Sequence, residues 1–333
     1  MSNPQYDVLG IGNAIVDVIA RTEEDFLVAN DMRKGGMALI DEARAHAIQA
    51  AMRETTEISG GSAANTIVGV ASLGGRGAFI GKVKGDALGE GFGRNLREAD
   101  VNFKTPAAKD GPSTARSYIF VTPDGERTMN TYLGAAQNLH PDDVDADAVG
   151  ASAITYLEGY LWDPRDAKDA FLKAATAAHA AGREVALTLS DAFCVDRWRD
   201  EFLHLLRSGT VDLLFANETE LHSLYQTATF DVAVAALAKD ARRAVVTRSE
   251  KGCIVVDKTG TQAVPAHPVT RLIDTTGAGD LFAAGFLVGH ARGRDAVTSA
   301  RLGALAAAEV IQHIGARPQT SLKALAEKAG LAI

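Results

Sequence analysis

The most chemically loaded position in the chain is an aspartate that follows Gly277, Ala278 and Gly279 at the start of an apolar helical run. In the segment DTTGAGD (274–280) the small residues leave backbone N–H groups unobstructed at a helix N-terminus. The positive end of the helix dipole reinforces them, so the segment is expected to bind an anion. Asp280, in the first turn beside that anion, stays ionised and can accept a hydroxyl proton. A second helix opens with GGSAAN (60–65). Gly60 and Gly61 allow close backbone approach to a polyhydroxylated ligand, and Asn65 offers a hydroxyl both a donor and an acceptor. Asn13 and Asp17, four residues apart just after the first apolar run, could gather their side chains at the same carboxyl edge. Alone, each motif reads equally as a capped helix, a tightly packed helix start or an ordinary turn. Together they describe one place where a hydroxyl and an anion meet.

Positioning such groups requires elements that end at a common edge. Short apolar runs at 7–12, 77–81, 153–158, 184–189, 212–215, 244–248 and 252–257 predict strands. Between them lie alanine-rich stretches of helical period at 63–73, 88–99, 166–181, 197–208, 231–239, 280–292 and 296–313. The alternation predicts an α/β fold, a doubly wound and mostly parallel sheet flanked by helices, whose ligands gather at the carboxyl ends of the strands. Residues 111–133 break the pattern. SYIFVTPDGERTMNTYL alternates on both sides of Pro123-Asp124-Gly125 and predicts a hairpin. Residues 13–40 are similarly short of helix, so 13–40 and 111–133 are expected to form a small β lid. The large body is then 1–12, 41–110 and 134–333.

Composition narrows the function. The chain has 333 residues, 34 basic and 42 acidic side chains, a formal charge of −8 and 47% hydrophobic residues. An acidic balance without a basic block argues against duplex nucleic acid or an anionic membrane surface as partner. The opening MSNPQYDVLGIG lacks a charged and apolar leader, and no run approaches the ~20 apolar residues of a membrane span, so a cytoplasmic location is expected. Gly10-Ile11-Gly12 imitates a dinucleotide fingerprint, but Ile15 stands at the third glycine. Gly81-Lys82 imitates a phosphate loop, but Val83 stands where Ser or Thr is needed. The eight histidines have no metal-site spacing, and the two cysteines, Cys194 and Cys253, read as buried thiols.

Taken together, these pieces resemble the ribokinase-like (PfkB) family of sugar and nucleoside kinases over essentially the whole chain. The glycine-rich stretch GGSAANTIVGVASLGGRGAFIGKVKGDALG (60–89) is similar to the family's amino-terminal signature, and DTTGAGDLFAAGF (274–286) to its carboxyl-terminal one. The resemblance implies transfer of the ATP γ-phosphoryl group to a primary hydroxyl. Asp280 is then the base, and the amides of Gly277, Ala278 and Gly279 form the anion hole. Asn217 and Glu220, in an Asn-x-x-Glu element, would organise water and Mg²⁺ around the phosphates. Arg127 on the hairpin would reach the phosphates, while Thr247 and Gly252 would lie near the ATP base and ribose. Within the family the GN-x-x-x-D pattern at Asn13 and Asp17, the segment LSDAF (189–193) and the strand ERTMNTYLGAA (126–136) resemble the branch that phosphorylates nucleosides. That branch implies the 5′-hydroxyl of adenosine as acceptor, held by Asn13, Asp17, Gly60, Gly61 and Asn65, with Phe193 against the base and Met129 as an apolar contact to the nucleoside. Another nucleoside such as inosine or guanosine, or a sugar such as ribose or fructose, is the alternative. Activation by K⁺ near Asp274 and Thr276, and the choice between monomer and homodimer, stay open at this level.

Overall fold

The computed structural model describes residues 3–331. Its larger sheet contains β1 (Tyr6–Ile11), β5 (Gly77–Ile80), β6 (Val101–Phe103), β9 (Ser152–Glu158), β10 (Glu184–Thr188), β11 (Leu213–Asn217), β12 (Arg243–Thr247), β13 (Cys253–Asp257) and β14 (Gly260–Val264). The order across this nine-stranded sheet is β14-β13-β12-β11-β10-β9-β1-β5-β6. Pairing is parallel from β12 to β6 and antiparallel for β12 with β13 and β13 with β14. The expected doubly wound sheet is present. Its two edge strands, β6 and β14, escape the sequence pattern because one has three residues and the other exposes four of its five.

The central strands are buried on both faces, which is why they read as short continuous apolar runs rather than alternating ones. One face is covered by α5 (Ala146–Gly150), α6 (Arg165–Ala180), α7 (Ala192–Arg207), α8 (Glu218–Tyr225) and α9 (Phe230–Asp240). The other carries α3 (Ser62–Ser72), α4 (Ala87–Glu98), α10 (Ala278–Ala291), α11 (Ala296–Val310) and α12 (Leu322–Lys328). Helix α10 is apolar all round because it lies between α3, α11 and the sheet. Gly285 and Gly303 let α10 and α11 touch backbone to backbone: a Cβ on Gly285 would stand 2.5 Å from Gly303 N.

The smaller sheet has the order β3-β8-β7-β2-β4, with β2 (Ile15–Arg21), β3 (Met37–Leu39), β4 (Thr56–Gly60), β7 (Ala115–Val121) and β8 (Arg127–Tyr132). Strands β7 and β8 form the antiparallel hairpin around Pro123-Asp124-Gly125. Residues 13–40 hold one short helix, α1 (Glu24–Ala29), which tucks Leu27 into the core; the expected boundary at 41 needs correction. Residues 41–60, assigned to the large body, instead supply α2 (Glu42–Ala51), which packs on β8, and β4, which pairs antiparallel with β2. Strand β4 hides from sequence reading because its first three residues, Thr56, Glu57 and Ile58, are all exposed and show no alternation. Cys194 and Cys253 are both buried thiols.

Candidate active site

The sheet order brings the chemical residues to one edge. Asn13 follows β1, Glu158 ends β9, Asn217 ends β11 and Thr247 ends β12, with Asn217 and Thr247 directly paired. Gly252 precedes β13 at the same edge, and Phe193 lies in the first turn of α7 after β10. These are the carboxyl ends of parallel strands, where backbone N–H groups and helix N-termini converge.

The centre is built on the first turns of α3 and α10. Asp280 is half-buried; it accepts a 2.6 Å hydrogen bond from Ser62 Oγ and one of 3.2 Å from Asn65 Nδ2. Burial pushes its carboxyl up to about 6 against the opposing pull of those two hydrogen bonds. Gly277 adopts a left-handed conformation (φ 79°) as N-cap of α10 and packs against Ala316. A Cβ on Gly279 would meet nothing within 4 Å, so the helix start opens onto free space. Ala278 departs from expectation, since its N–H donates to the Thr275 carbonyl at 3.2 Å. The amides left for an anion are those of Gly277, Gly279 and Asp280 itself.

Asn13 is buried, and its Nδ2 donates to Glu158 Oε1 at 2.7 Å. Glu158, only 1% exposed, also accepts from the Ala63 amide at 2.8 Å, and burial pushes its carboxyl up to about 7. With its amide nitrogen committed, Asn13 keeps Oδ1 buried and without a partner among the described residues. Asp17 lies across β2 against Gly60, where a Cβ would collide with its carboxylate. Gly61 has φ 92°, and a side chain there would strike the Asn13 carbonyl. The two glycines are therefore demanded by the close approach of β4 to the residues after β1. Burial drives Asp17 up to about 6, opposed by the positive charges of Arg127 and Arg317. Sequence reading found Asn13, Asp17, Gly60, Gly61, Asn65 and Asp280, and the fold gathers them.

Arg127, at the start of β8, reaches from the small sheet to the DTTGAGD segment. It pairs with Asp274 and donates to Thr276 Oγ1 at 2.7 Å, leaving its Nε buried and without a partner among the described residues. Asp274 is fixed from the other side by the amides of Thr276 (2.9 Å) and Gly315 (3.0 Å). Met129, half-buried on β8, is paired with Met37 and Ile119 in the small sheet. Phe193 is 64% exposed rather than a core aromatic, and the Arg197 guanidinium covers it at 4.4 Å from the ring centroid.

Asn217 and Glu220 form a reciprocal capping box at the start of α8. Glu220 is 4% exposed, and both its oxygens are taken by Asn217, at 3.0 Å from N and 2.6 Å from Nδ2. Burial pushes it up to about 7. Among the described residues no set of three or more His, Cys, Asp or Glu is grouped to hold a metal ion. A carboxylate so engaged suits an ion carried by a polyphosphate and reached through water, and no protein-made cage is present for one bound directly. Thr247 Oγ1 lies 3.5 Å from the Ala216 carbonyl, and Gly252 takes φ 82° against Val264.

Three residues of this site were missed from the sequence: Ser62, Glu158 and Arg317. Ser62 lay inside a motif already singled out, and Glu158 was a charge closing an apolar strand. Arg317 carried no signal, because its partners are more than 250 positions away.

Known proteins with this architecture give the site a lineage. A structure of adenosine kinase from Sinorhizobium meliloti is 54% identical, covers 98% of this chain and 99% of its own, and superposes with a TM-score of 0.90. That of a probable sugar kinase protein from Rhizobium etli is 51% identical, with the same coverage and a TM-score of 0.92. The adenosine kinase of Saccharomyces cerevisiae is 28% identical over 327 residues, 92% of this chain and 94% of its own. The description "pfkB family carbohydrate kinase" matches residues 8–323, and with both signature segments meeting at Asp280, the chain belongs to the pfkB family of carbohydrate kinases.

Proposed function

We propose that this kinase transfers the γ-phosphoryl group of ATP to the 5′-hydroxyl of adenosine, giving AMP and ADP. The observation that carries the reading is the 54% identity, over 98% of the chain, to a structure described as an adenosine kinase. The site chemistry agrees with it. Asn13 Oδ1 and the Asp17 carboxylate are acceptors, suited to the donor hydroxyls of a ribose. Phe193 has one face covered by Arg197, and its exposed ring can stack on a purine.

In the reaction the acceptor oxygen attacks the γ-phosphorus and loses its proton to Asp280. The new O–P bond forms as the bond to the bridging oxygen breaks, and the leaving electron pair stays on ADP. Asp280 is suited to the task because desolvation makes it a stronger base than a free aspartate, while Ser62 and Asn65 hold it in place. The free amides of Gly277, Gly279 and Asp280 face the oxygens on which charge is redistributed, and the helix dipole of α10 supports them. Mg²⁺, when bound to the phosphates, neutralises their charge, and Asn217 and Glu220 would hold its water shell. The small sheet, with Arg127 at its rim, excludes water that would otherwise hydrolyse ATP.

The test is ADP release with Mg-ATP across adenosine, inosine, guanosine, cytidine, ribose and fructose. Turnover confined to adenosine and reduced by about 10²–10⁴-fold in Asp280→Asn is expected. A sugar acceptor is the second reading, favoured by the 51% identical probable sugar kinase; preferential turnover of ribose or fructose would replace the first reading with it.

A further inference from the structure

The loop that follows α11 holds the one strong cation of the site for which the reaction above has no use. Gly315 donates its amide to Asp274, and Ala316 presses on Gly277, where a Cβ would lie 2.7 Å from Ala316 Cα. These contacts clamp residues 315–317 onto the segment that forms the anion hole. Arg317 turns inward from there, with its Nε 3.4 Å from Asn65 Oδ1. The same Asn65 amide donates to Asp280, so a single side chain separates the guanidinium from the base. Arg317 Nη2 is buried and has no hydrogen-bond partner among the described residues. Arg317 makes no ion pair with Asp17, although the two charges feel one another.

A buried N–H left unpaired costs stability, and a fold keeps one chiefly where a ligand will supply the missing oxygen. We propose that Arg317 is a catalytic residue for phosphoryl transfer, its free guanidinium N–H donating to the equatorial oxygens of the phosphoryl group as it passes to the acceptor. This rests on the phosphotransfer reading above. The chemistry of the neighbours selects a phosphoryl oxygen over an acceptor hydroxyl. Hydroxyl protons already meet the acceptors Asp17, Asp280 and Asn13 Oδ1, whereas a fixed, delocalised cation beside an anion hole matches a group bearing several charged oxygens. In the same geometry Arg127 Nη1 is engaged by Asp274 and Thr276. Burial lowers Arg317 to about 10, so it still carries its charge at neutral pH.

The experiment compares the full-length wild type with Arg317→Ala and Arg317→Lys. It reads kcat with Mg-ATP and adenosine, adenosine affinity by calorimetry without ATP, thermal melting, and rescue by added guanidinium ion. The inference expects kcat of Arg317→Ala to fall about 100-fold. Adenosine affinity should stay within about threefold, guanidinium should restore part of the rate, and Arg317→Lys should lie between. Unchanged kcat overturns it, as does an affinity loss that accounts for the whole defect. Early melting of Arg317→Ala shifts the decision to Arg317→Lys. A well-folded Lys variant with reduced kcat and intact adenosine affinity upholds the role, while loss of fold in both variants makes Arg317 structural and overturns it. A wild type silent on adenosine and on every other acceptor sinks the phosphotransfer reading and this one together, whereas a wild type active on any acceptor and equalled by Arg317→Ala sinks this one alone.

Discussion

At the scale of residues the site works by placing carboxylates where water cannot fully solvate them. Asp280 is the clearest case. Its two hydrogen bonds favour the ionised form, but burial outweighs them and raises the group to about 6. A base must be ionised to take a proton, so turnover should rise with pH through about 6 and level off above it. A pH series of kcat from 5 to 8 checks this, and a profile flat down to pH 5 would remove Asp280 from the role. Asn13 makes a complementary point. An asparagine side chain offers both a donor and an acceptor, yet Glu158 consumes the donor and leaves only Oδ1 without a partner among the described residues. The chemistry of an amide side chain is settled by its neighbours.

At the scale of elements, strand β4 and the first turn of α3 decide whether a ligand fits. Gly61 is left-handed and lies against the Asn13 carbonyl, so Gly61→Ala carries both a backbone penalty and a collision. A loss of about 1–3 kcal/mol is expected, read as a lowered melting temperature, with adenosine affinity falling further than stability alone explains. Retained affinity would show that β4 can shift without disturbing Asn13 and Asp17. At the other end, Asn217→Ala removes the cap of α8 and should cost about 1 kcal/mol in denaturant unfolding. A variant that loses turnover with stability intact would separate a role at the phosphates from the capping role.

At the scale of the whole molecule, the site imposes a pH signature on stability. Asp17 and Asp280 are raised to about 6, and Glu158 and Glu220 to about 7, each by burial. The native state therefore holds more protons than the unfolded chain between about pH 4 and 7, and stability from these groups falls as pH rises through that window. Asp7, Glu184, Asp240 and Asp274 are held below their ordinary values, so their contribution is complete above about 4 and lost on further acidification. The two sets place the maximum near pH 4. Melting scans from pH 3 to 9 should show it, and a maximum at pH 8 would mean that the buried carboxyls are better solvated than their positions imply.

Much of this was legible without coordinates, and the division has a physical cause. The parallel strands, their crossover helices and the hairpin at 115–132 announce themselves because burial imposes a period on the chain, and a period is a local property. The glycine-rich starts of α3 and α10 are legible for the same reason, since small residues in succession are also a local property. Exposed strands such as β4 and β14 impose no such pattern, which is why the small sheet extends further along the chain than its sequence suggests. Pairings across the fold leave no local trace at all. That Asn65 shares its amide between Asp280 and Arg317, that Glu158 turns Asn13 into an acceptor, and that Arg127 crosses from β8 to Asp274 follow only from tertiary structure. Residue type sets which bonds a side chain can make, and only the packed fold selects among them.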